Sequence, residues 1–201
     1  MSRKWKMKDG RWRELQLSDE TLQKLESFAE HLMAWNKVHN LTGAKSYEAI
    51  EEQIFDSIYP LTFLPNPKNL LDIGTGAGFP GMILAIAMPE TECTLCEPLQ
   101  KRTAFLKFIV RELQLQHVNV ETSRVEALEV KPYELITSRA VTDTETLMSW
   151  CHPFIGENTQ LLFYKGEQVF EEIKSLEMCH YELISRNKRN YLWIKECTKE
   201  I

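Results

Sequence analysis

The chain has 201 residues, of which 43% are hydrophobic, 26% charged and 10% aromatic, a balance that excludes collagen-like, low-complexity and disordered classes. No run approaches the ~20 apolar residues of a membrane helix, and the opening MSRKWKMKDGRWRE lacks the apolar centre of a signal peptide, so a cytoplasmic protein without membrane contact is expected. A net charge of −5 excludes a generally basic nucleic-acid binder and leaves polyanion contact to local patches, because an acidic body acts over about one Debye length, ~8 Å.

In chain order, residues 1–13 come first. They carry Arg3, Lys4, Lys6, Lys8, Arg11 and Arg13 against Asp9 alone and read as a disordered basic arm. Residues 14–68 read as a helical extension. Ser18 or Asp19 opens its first helix, and Leu22, Leu25, Phe28, Leu32 and Trp35 recur at helical spacing. Asn40 can end that helix in a left-handed conformation. A second helix is expected from Tyr47 to Leu61, closed by Pro60, Pro65 and Pro67.

Residues 69–201 alternate strands with helices. Strands are expected at Asn69–Ile73, Cys93–Glu97, Val118–Thr122, Glu134–Thr137 and Gln160–Tyr164. Helices are expected at Phe79–Met88, Gln100–Leu113, Thr144–Cys151 and Glu167–Met178. A hairpin of Tyr181–Ser185 and Tyr191–Lys195, turning over residues 186–190, ends the chain. The rhythm predicts an α/β fold, a doubly wound, mostly parallel seven-stranded sheet with right-handed crossovers.

Five cysteines are an odd count, and free thiols are expected. Cys93-Thr94-Leu95-Cys96 has half the spacing of a zinc site, but tetrahedral zinc needs two more ligands. Only Cys151-His152 and Cys179-His180 could be imagined in that role. A buried strand with cysteines as small hydrophobes is the simpler reading, and no metal is expected.

The stretch Asp72-Ile73-Gly74-Thr75-Gly76-Ala77-Gly78-Phe79-Pro80-Gly81 follows the first strand and opens the first helix of the sheet. Ligands of open α/β sheets bind there, outside the carboxyl ends of the strands. Read from Gly76, it fits G-x-G-x-x-G with Glu97 as a ribose-binding acid, a nicotinamide site. Read from Asp72, it is D-x-G-x-G-x-G with Glu97 ending the second strand, as in class I S-adenosylmethionine methyltransferases. The carboxylate of Asp72 would need a partner inside the sheet, and the cofactor's amino group region can help supply one. Chain length favours the methyltransferase, because no residues remain for a nicotinamide enzyme's second domain.

Further residues narrow the resemblance. They are Trp35-Asn36-Lys37-Val38-His39-Asn40-Leu41-Thr42, Asp56-Ser57, the glycine stretch, Lys101-Arg102 with Phe105-Leu106, Ser123-Arg124-Val125-Glu126, Ser138-Arg139-Ala140 and Lys165-Gly166. In this order they resemble the RsmG (GidB) family, Rossmann-like methyltransferases of bacterial small-subunit ribosomal RNA. The resemblance runs from about residue 15 to the end. It implies S-adenosylmethionine as cofactor and N7 of one guanine in 16S rRNA of the small subunit as target. It implies that Gly74, Gly76 and Phe79 line the methionine side, that Glu97 holds the ribose, and that Val125 and Glu126 flank the adenine. Arg139 would border the cofactor near the methyl.

The chemistry agrees. Guanine N7 bears a lone pair and no proton, so alignment rather than a base carries the reaction. The chain lacks the Asn/Asp-Pro-Pro-aromatic motif of amino methyltransferases and a Pro-Cys nucleophile. Arg124 and Arg139 follow strands at the ligand edge and can fork onto phosphate or guanine O6, so both are catalytic candidates. Arg124 and Lys165 are the candidate RNA contacts. A monomer is expected. An RNA-binding assembly factor on the same fold is the alternative, with a nicotinamide oxidoreductase behind it.

Overall fold

A computed structural model describes residues 10–176 and 179–197. Helix α1 spans Asp19–His39. Ser18 caps it by accepting from the Thr21 amide, Asp19 and Glu20 face the positive end of its dipole, and Lys37 and His39 the negative end. Asn40, at φ 49°, ends it in the left-handed conformation the sequence predicts. Helix α2 spans Tyr47–Ile58. It stops three residues earlier than expected, because Tyr59–Thr62 tightens into a 3-10 turn around Pro60.

The strands are β1 (Asn69–Ile73), β2 (Glu92–Cys96), β3 (Val118–Glu121), β4 (Tyr133–Arg139), β5 (Ile155–Lys165), β6 (Cys179–Arg186) and β7 (Arg189–Cys197). Among the described residues they form one seven-stranded sheet ordered β3-β2-β1-β4-β5-β7-β6. The first five are parallel, and β7 runs antiparallel to both β5 and β6. The central strands are apolar without alternation because helices cover both faces. Helices α3 (Gly81–Ala87) and α4 (Gln100–Glu112) join the first strands, and α5 (Thr144–Cys151) and α6 (Val169–Glu172) the later ones.

One buried cluster unites Leu25, Phe28, Ile50 and Ile54 of the extension with Met82 of α3, Phe105 of α4 and Leu95 of β2. The extension therefore shares its core with the sheet. The second cluster holds Leu147 and Met148 of α5 with Ile136 and Phe163 on the other face. No helix among the described residues is long and apolar enough to cross a membrane.

Further expectations change. Residues 1–9 of the basic arm lie outside the described residues, but residues 10–15 form a 3-10 helix. Trp12 is buried there, edge-on to Phe55 of α2 at 5.1 Å, as part of the core the extension shares with the sheet. Strand β5 begins five residues earlier than its apolar run, where Glu157 and Asn158 are exposed. Helix α6 is only four residues long, with Ile173–Ser175 in a 3-10 turn; the expected end at Met178 lies outside the described residues. The hairpin turn is tighter than expected. Arg186 pairs with Arg189, leaving Asn187 and Lys188 between them, with Asn187 at φ 52°.

Candidate functional site

The glycine turn leaves the carboxyl end of β1 between two carboxylates. Asp72 is fully buried and accepts from the Gly81 amide (2.8 Å) and the Thr137 hydroxyl (2.7 Å). These donors come from the protein itself, one from α3 and one from β4. Glu97 accepts from the Gly76 amide (3.0 Å), the Leu99 amide (2.9 Å) and Arg102 (3.4 Å). Asp72 thus ties the end of the turn to β1, and Glu97 ties its middle to β2. Gly74 sits at φ +70°, and a Cβ there would stand 2.5 Å from Val141 Cγ2. Only glycine satisfies both the conformation and the close approach.

Burial raises the Asp72 carboxyl to about 6, against lowering by hydrogen bonds from Thr75, Thr137 and Gly81. A raised folded value means the contribution to stability is present below the unfolded pKa and is lost as pH rises through about 6. From an ordinary 3.8 to about 6, the cost is on the order of 3 kcal/mol at neutral pH. Asp72→Asn removes the charge and keeps an acceptor for Gly81. Thermal melts from pH 4 to 7 should show the wild type losing stability relative to the variant as pH rises. A constant difference between the two would contradict this.

Two cavities open beside the turn. The larger, about 550 Å³, is lined by Gly74, Gly76, Phe79, Glu97, Arg102 and Arg139, and by Leu41-Thr42-Gly43 from the extension. The smaller, about 130 Å³, is lined by Ile73, Cys96, Ser123, Arg124, Val125, Glu126 and Trp150. Gly74, Pro98 and Val141 border both. The structure therefore gathers Gly74, Gly76, Phe79, Glu97 and Arg139 in one cavity and Arg124, Val125 and Glu126 in the other.

Arg139 ends β4 beneath α2. Its Nη2 donates to Gln53 Oε1 (3.3 Å), and its guanidinium lies 4.8 Å from the Phe79 ring centroid. Phe79 thus supports Arg139 as well as lining the cavity. Nη1 is buried without a hydrogen-bond partner. Burial, then the neighbouring Arg189 charge, lowers this guanidinium to about 10, while Tyr164, Asp56 and Asp72 oppose the shift. It remains cationic at neutral pH.

The other two candidates are elsewhere. Arg124 is exposed on the rim of the smaller cavity, apart from the one that holds Arg139. Lys165 is 7% exposed, paired with Glu172 (2.8 Å) and donating to the Thr142 carbonyl (3.0 Å). This corrects the reading of Lys165 as a surface phosphate contact: a buried cation needs its charge partner, and Glu172 supplies it. Glu172 also accepts from the Thr144 amide and hydroxyl. Burial pushes its carboxyl up, but the bonds from Lys165 and Thr144 outweigh that and hold it below the ordinary range. Together they brace the Ala140–Thr142 loop, which places Val141 against Gly74.

Gln53, Val141 and Trp150 escape the sequence reading, and so does the roofing role of Leu41–Gly43, although Leu41 and Thr42 belong to the motif that carries the resemblance. Asn36 and Asn40 were the available signals for the roof. Asn36 holds it with both ends of its amide, donating to the Ala44 carbonyl (2.8 Å) and accepting from the Thr42 amide (2.9 Å).

No group of metal-ligating side chains occurs among the described residues. Cys93 and Cys96 are free thiols buried in β2, and burial raises both. Cys151 is also free, but Cys179 is disulfide-bonded, against the expectation of free thiols throughout.

A family model described as rRNA small subunit methyltransferase G (GidB) matches residues 21–199. The chain belongs to this family. Ribosomal RNA small subunit methyltransferase G of Wolinella succinogenes is 50% identical over 87% of this chain and 90% of its own. That of Aliarcobacter butzleri is 40% identical over 90% and 93%. Among solved structures, the O-methyltransferase of Bacillus cereus in complex with SAH matches with a TM-score of 0.62 and 14% identity, over 85% of this chain and 91% of that one. The ribosomal protein L11 methylase of Lactobacillus delbrueckii matches at 0.58 with 11% identity, over 78% and 81%. These two support the fold alone. The family makes the chain an S-adenosylmethionine-dependent methyltransferase. The site residues fit that cofactor: a glycine turn open to close approach, a carboxylate for hydroxyls, and a small apolar cavity for a flat base.

Proposed function

We propose that this chain transfers a methyl group from S-adenosylmethionine to N7 of one guanine in 16S rRNA of the small ribosomal subunit. The observation that carries the target atom is the ionisable lining of the larger cavity, which consists of Glu97, Arg102 and Arg139. Glu97 has both oxygens already engaged, by two backbone amides and Arg102. Arg139 is a fixed cation. Such a site suits an acceptor with a free lone pair and no proton to lose.

The cofactor supplies an electrophilic methyl on a sulfonium. Gly74 and Gly76 give it close backbone approach, Glu97 offers oxygens to ribose hydroxyls, and Val125 and Glu126 flank its adenine. Arg139 orients the nucleotide, its guanidinium kept in place by Gln53 and Phe79. Proximity and alignment of this kind can supply ~7–11 kcal/mol of a barrier. Lys165 acts through the Thr142 carbonyl and the loop bearing Val141 rather than by touching RNA. Arg124, on the rim of the smaller cavity, is free to meet a phosphate.

The test uses small subunits from cells lacking the enzyme. Incubation with the protein and labelled S-adenosylmethionine should introduce one methyl per subunit. The modified guanine should become sensitive to borohydride reduction followed by aniline, which cleaves at N7-alkylated guanosine. Label on any other atom would overturn the N7 assignment. Binding to subunits without methyl transfer would instead favour the assembly-factor alternative.

A further inference from the structure

Beyond the two cavities, the ligand edge of the sheet carries a second cationic feature. Strand β7 runs antiparallel to β5 with Asn190 opposite Lys165. The Asn187-Lys188 turn therefore projects past the carboxyl end of β5, at the edge where β1 gives the glycine turn and β4 ends in Arg139. Asn190 fastens it there by donating to the Gly166 carbonyl (3.0 Å).

Helix α2 holds the same turn from the other side. Asp56 accepts from Arg189 Nε (3.3 Å) and Arg186 Nη1 (3.5 Å), and its backbone carbonyl accepts from the Tyr191 hydroxyl (3.1 Å). Arg186 is also 3.7 Å from Glu52 and lies over the Phe55 and Tyr59 rings at 4.3 and 5.1 Å. One helical turn earlier than Asp56, Gln53 accepts from Arg139. A single face of α2 thus seats Arg139, Arg186 and Arg189 together.

The charge there does not cancel. Arg139, Arg186, Lys188 and Arg189 give +4, and Glu52 and Asp56 give −2, leaving +2 in a chain whose total is −5. Each guanidinium has five donors, and the Asp56 bonds use only one from each of the two hairpin arginines. Lys188 is exposed and forms no ion pair with the described residues. Arg139 Nη1 is buried without a partner. A structural clasp on Asp56 explains Arg186 and Arg189. It does not explain an exposed lysine at the tip or the excess charge beside an unsatisfied arginine.

We propose that the β6–β7 turn, with Lys188 at its tip and Arg186 and Arg189 behind it, grips the phosphodiester backbone of the RNA flanking the target nucleotide. This rests on the rRNA methyltransferase reading. The turn is pre-organised by α2 and Gly166, so little ordering is needed on binding. Forked guanidinium donors match phosphate oxygens.

The experiment measures Kd of the full chain for extracted 16S rRNA and for intact small subunits between 50 and 200 mM salt. Lys188→Glu, Lys188→Arg and Lys131→Glu are compared with wild type. Lys131 lies before β4, at the opposite edge of the sheet, and controls for net charge. Losing one phosphate contact should lower the slope of log K against log salt by about 1, and Lys188→Glu should weaken RNA binding by roughly tenfold. Lys188→Arg should bind as wild type, and Lys131→Glu within about twofold. Unchanged S-adenosylmethionine binding in all three would show that they are folded. If Lys188→Glu binds like wild type, or Lys131→Glu is equally weakened, the proposal fails while the methyltransferase reading stands. A loss seen on subunits and absent on extracted RNA overturns it in favour of an acidic ribosomal protein surface. Wild-type binding to neither target overturns the underlying reading as well.

Discussion

Gly81→Ala should unfold the protein at a markedly lower temperature and weaken cofactor binding, while Gly166→Ala should do neither. A Cβ on Gly81 would stand 2.5 Å from Asp72 Oδ2, 2.6 Å from Asp72 Cβ and 2.6 Å from Leu95 Cδ2. Neither neighbour can yield. Asp72 is fully buried near the carboxyl end of β1, which is hydrogen-bonded to β2 on one side and β4 on the other. Leu95 is fully buried on β2. The remaining relief is to lift α3 from the sheet, which stretches the Gly81 amide bond to Asp72. Overpacking of this kind costs ~1–3 kcal/mol, and leaving a buried carboxylate short of a donor costs ~1–3 kcal/mol more. At roughly 2–4 °C per kcal/mol for a chain of this size, a total near 3 kcal/mol lowers the Tm by about 6–12 °C. A Cβ on Gly166 meets nothing within 4 Å, so its alanine variant should melt within about 2 °C of wild type. Calorimetry of both, with titration of S-adenosylmethionine, checks the pair. Equal melting of Gly81→Ala and wild type would mean that the contact between α3 and β1 is looser than described.

The same contact shows what a linear reading can and cannot see. Strand β1 matches its expected bounds, Asn69–Ile73, and α5 matches Thr144–Cys151, because each is a compact apolar signal bounded by polar residues. The glycine turn was legible because its spacing is local. The role of Asp72 was not, because its partners Thr137 and Gly81 come from β4 and α3, and sequence distance hides both. Lys165 was misread for a similar reason. Its neighbours in the chain are Tyr164 and Gly166, and nothing adjacent announces that Glu172 and Thr142 enclose its ammonium. Strand β5 was cut short because only its carboxyl half is buried on both faces; its first half alternates no apolar pattern. Gln53 was invisible as a site residue, since an amide on an amphipathic helix reads as ordinary surface until Arg139 is seen against it.

Arg139→Lys should cut methyl transfer by two orders of magnitude or more, with a smaller change in cofactor affinity. Lysine keeps the positive charge and loses three features at once. It has no planar fork, it cannot spread over Phe79 as a guanidinium does at 4.8 Å, and a flexible ammonium cannot hold the geometry fixed by Gln53. If Arg139 served only as a counter-charge to Asp72 and Asp56, lysine would restore most of the rate. If it orients the base, the loss falls on kcat, because misalignment by ~1 Å costs about 10²-fold. Arg139→Met separates the structural share. Arg139 is half-buried at the cavity wall and forms no ion pair within 4 Å among the described residues, so an apolar side chain of similar length breaks no pair and can keep the contact with Phe79. The methionine variant should therefore melt near wild type, or above it, while losing transfer. Single-turnover kinetics on subunits, read beside the melting curves, decide the matter. A lysine variant with wild-type kcat would reduce Arg139 to an electrostatic prop, and a methionine variant that unfolds would make it a structural pillar between α2 and β4. Low kcat in both variants with melting preserved assigns it to the alignment of the nucleotide against the methyl.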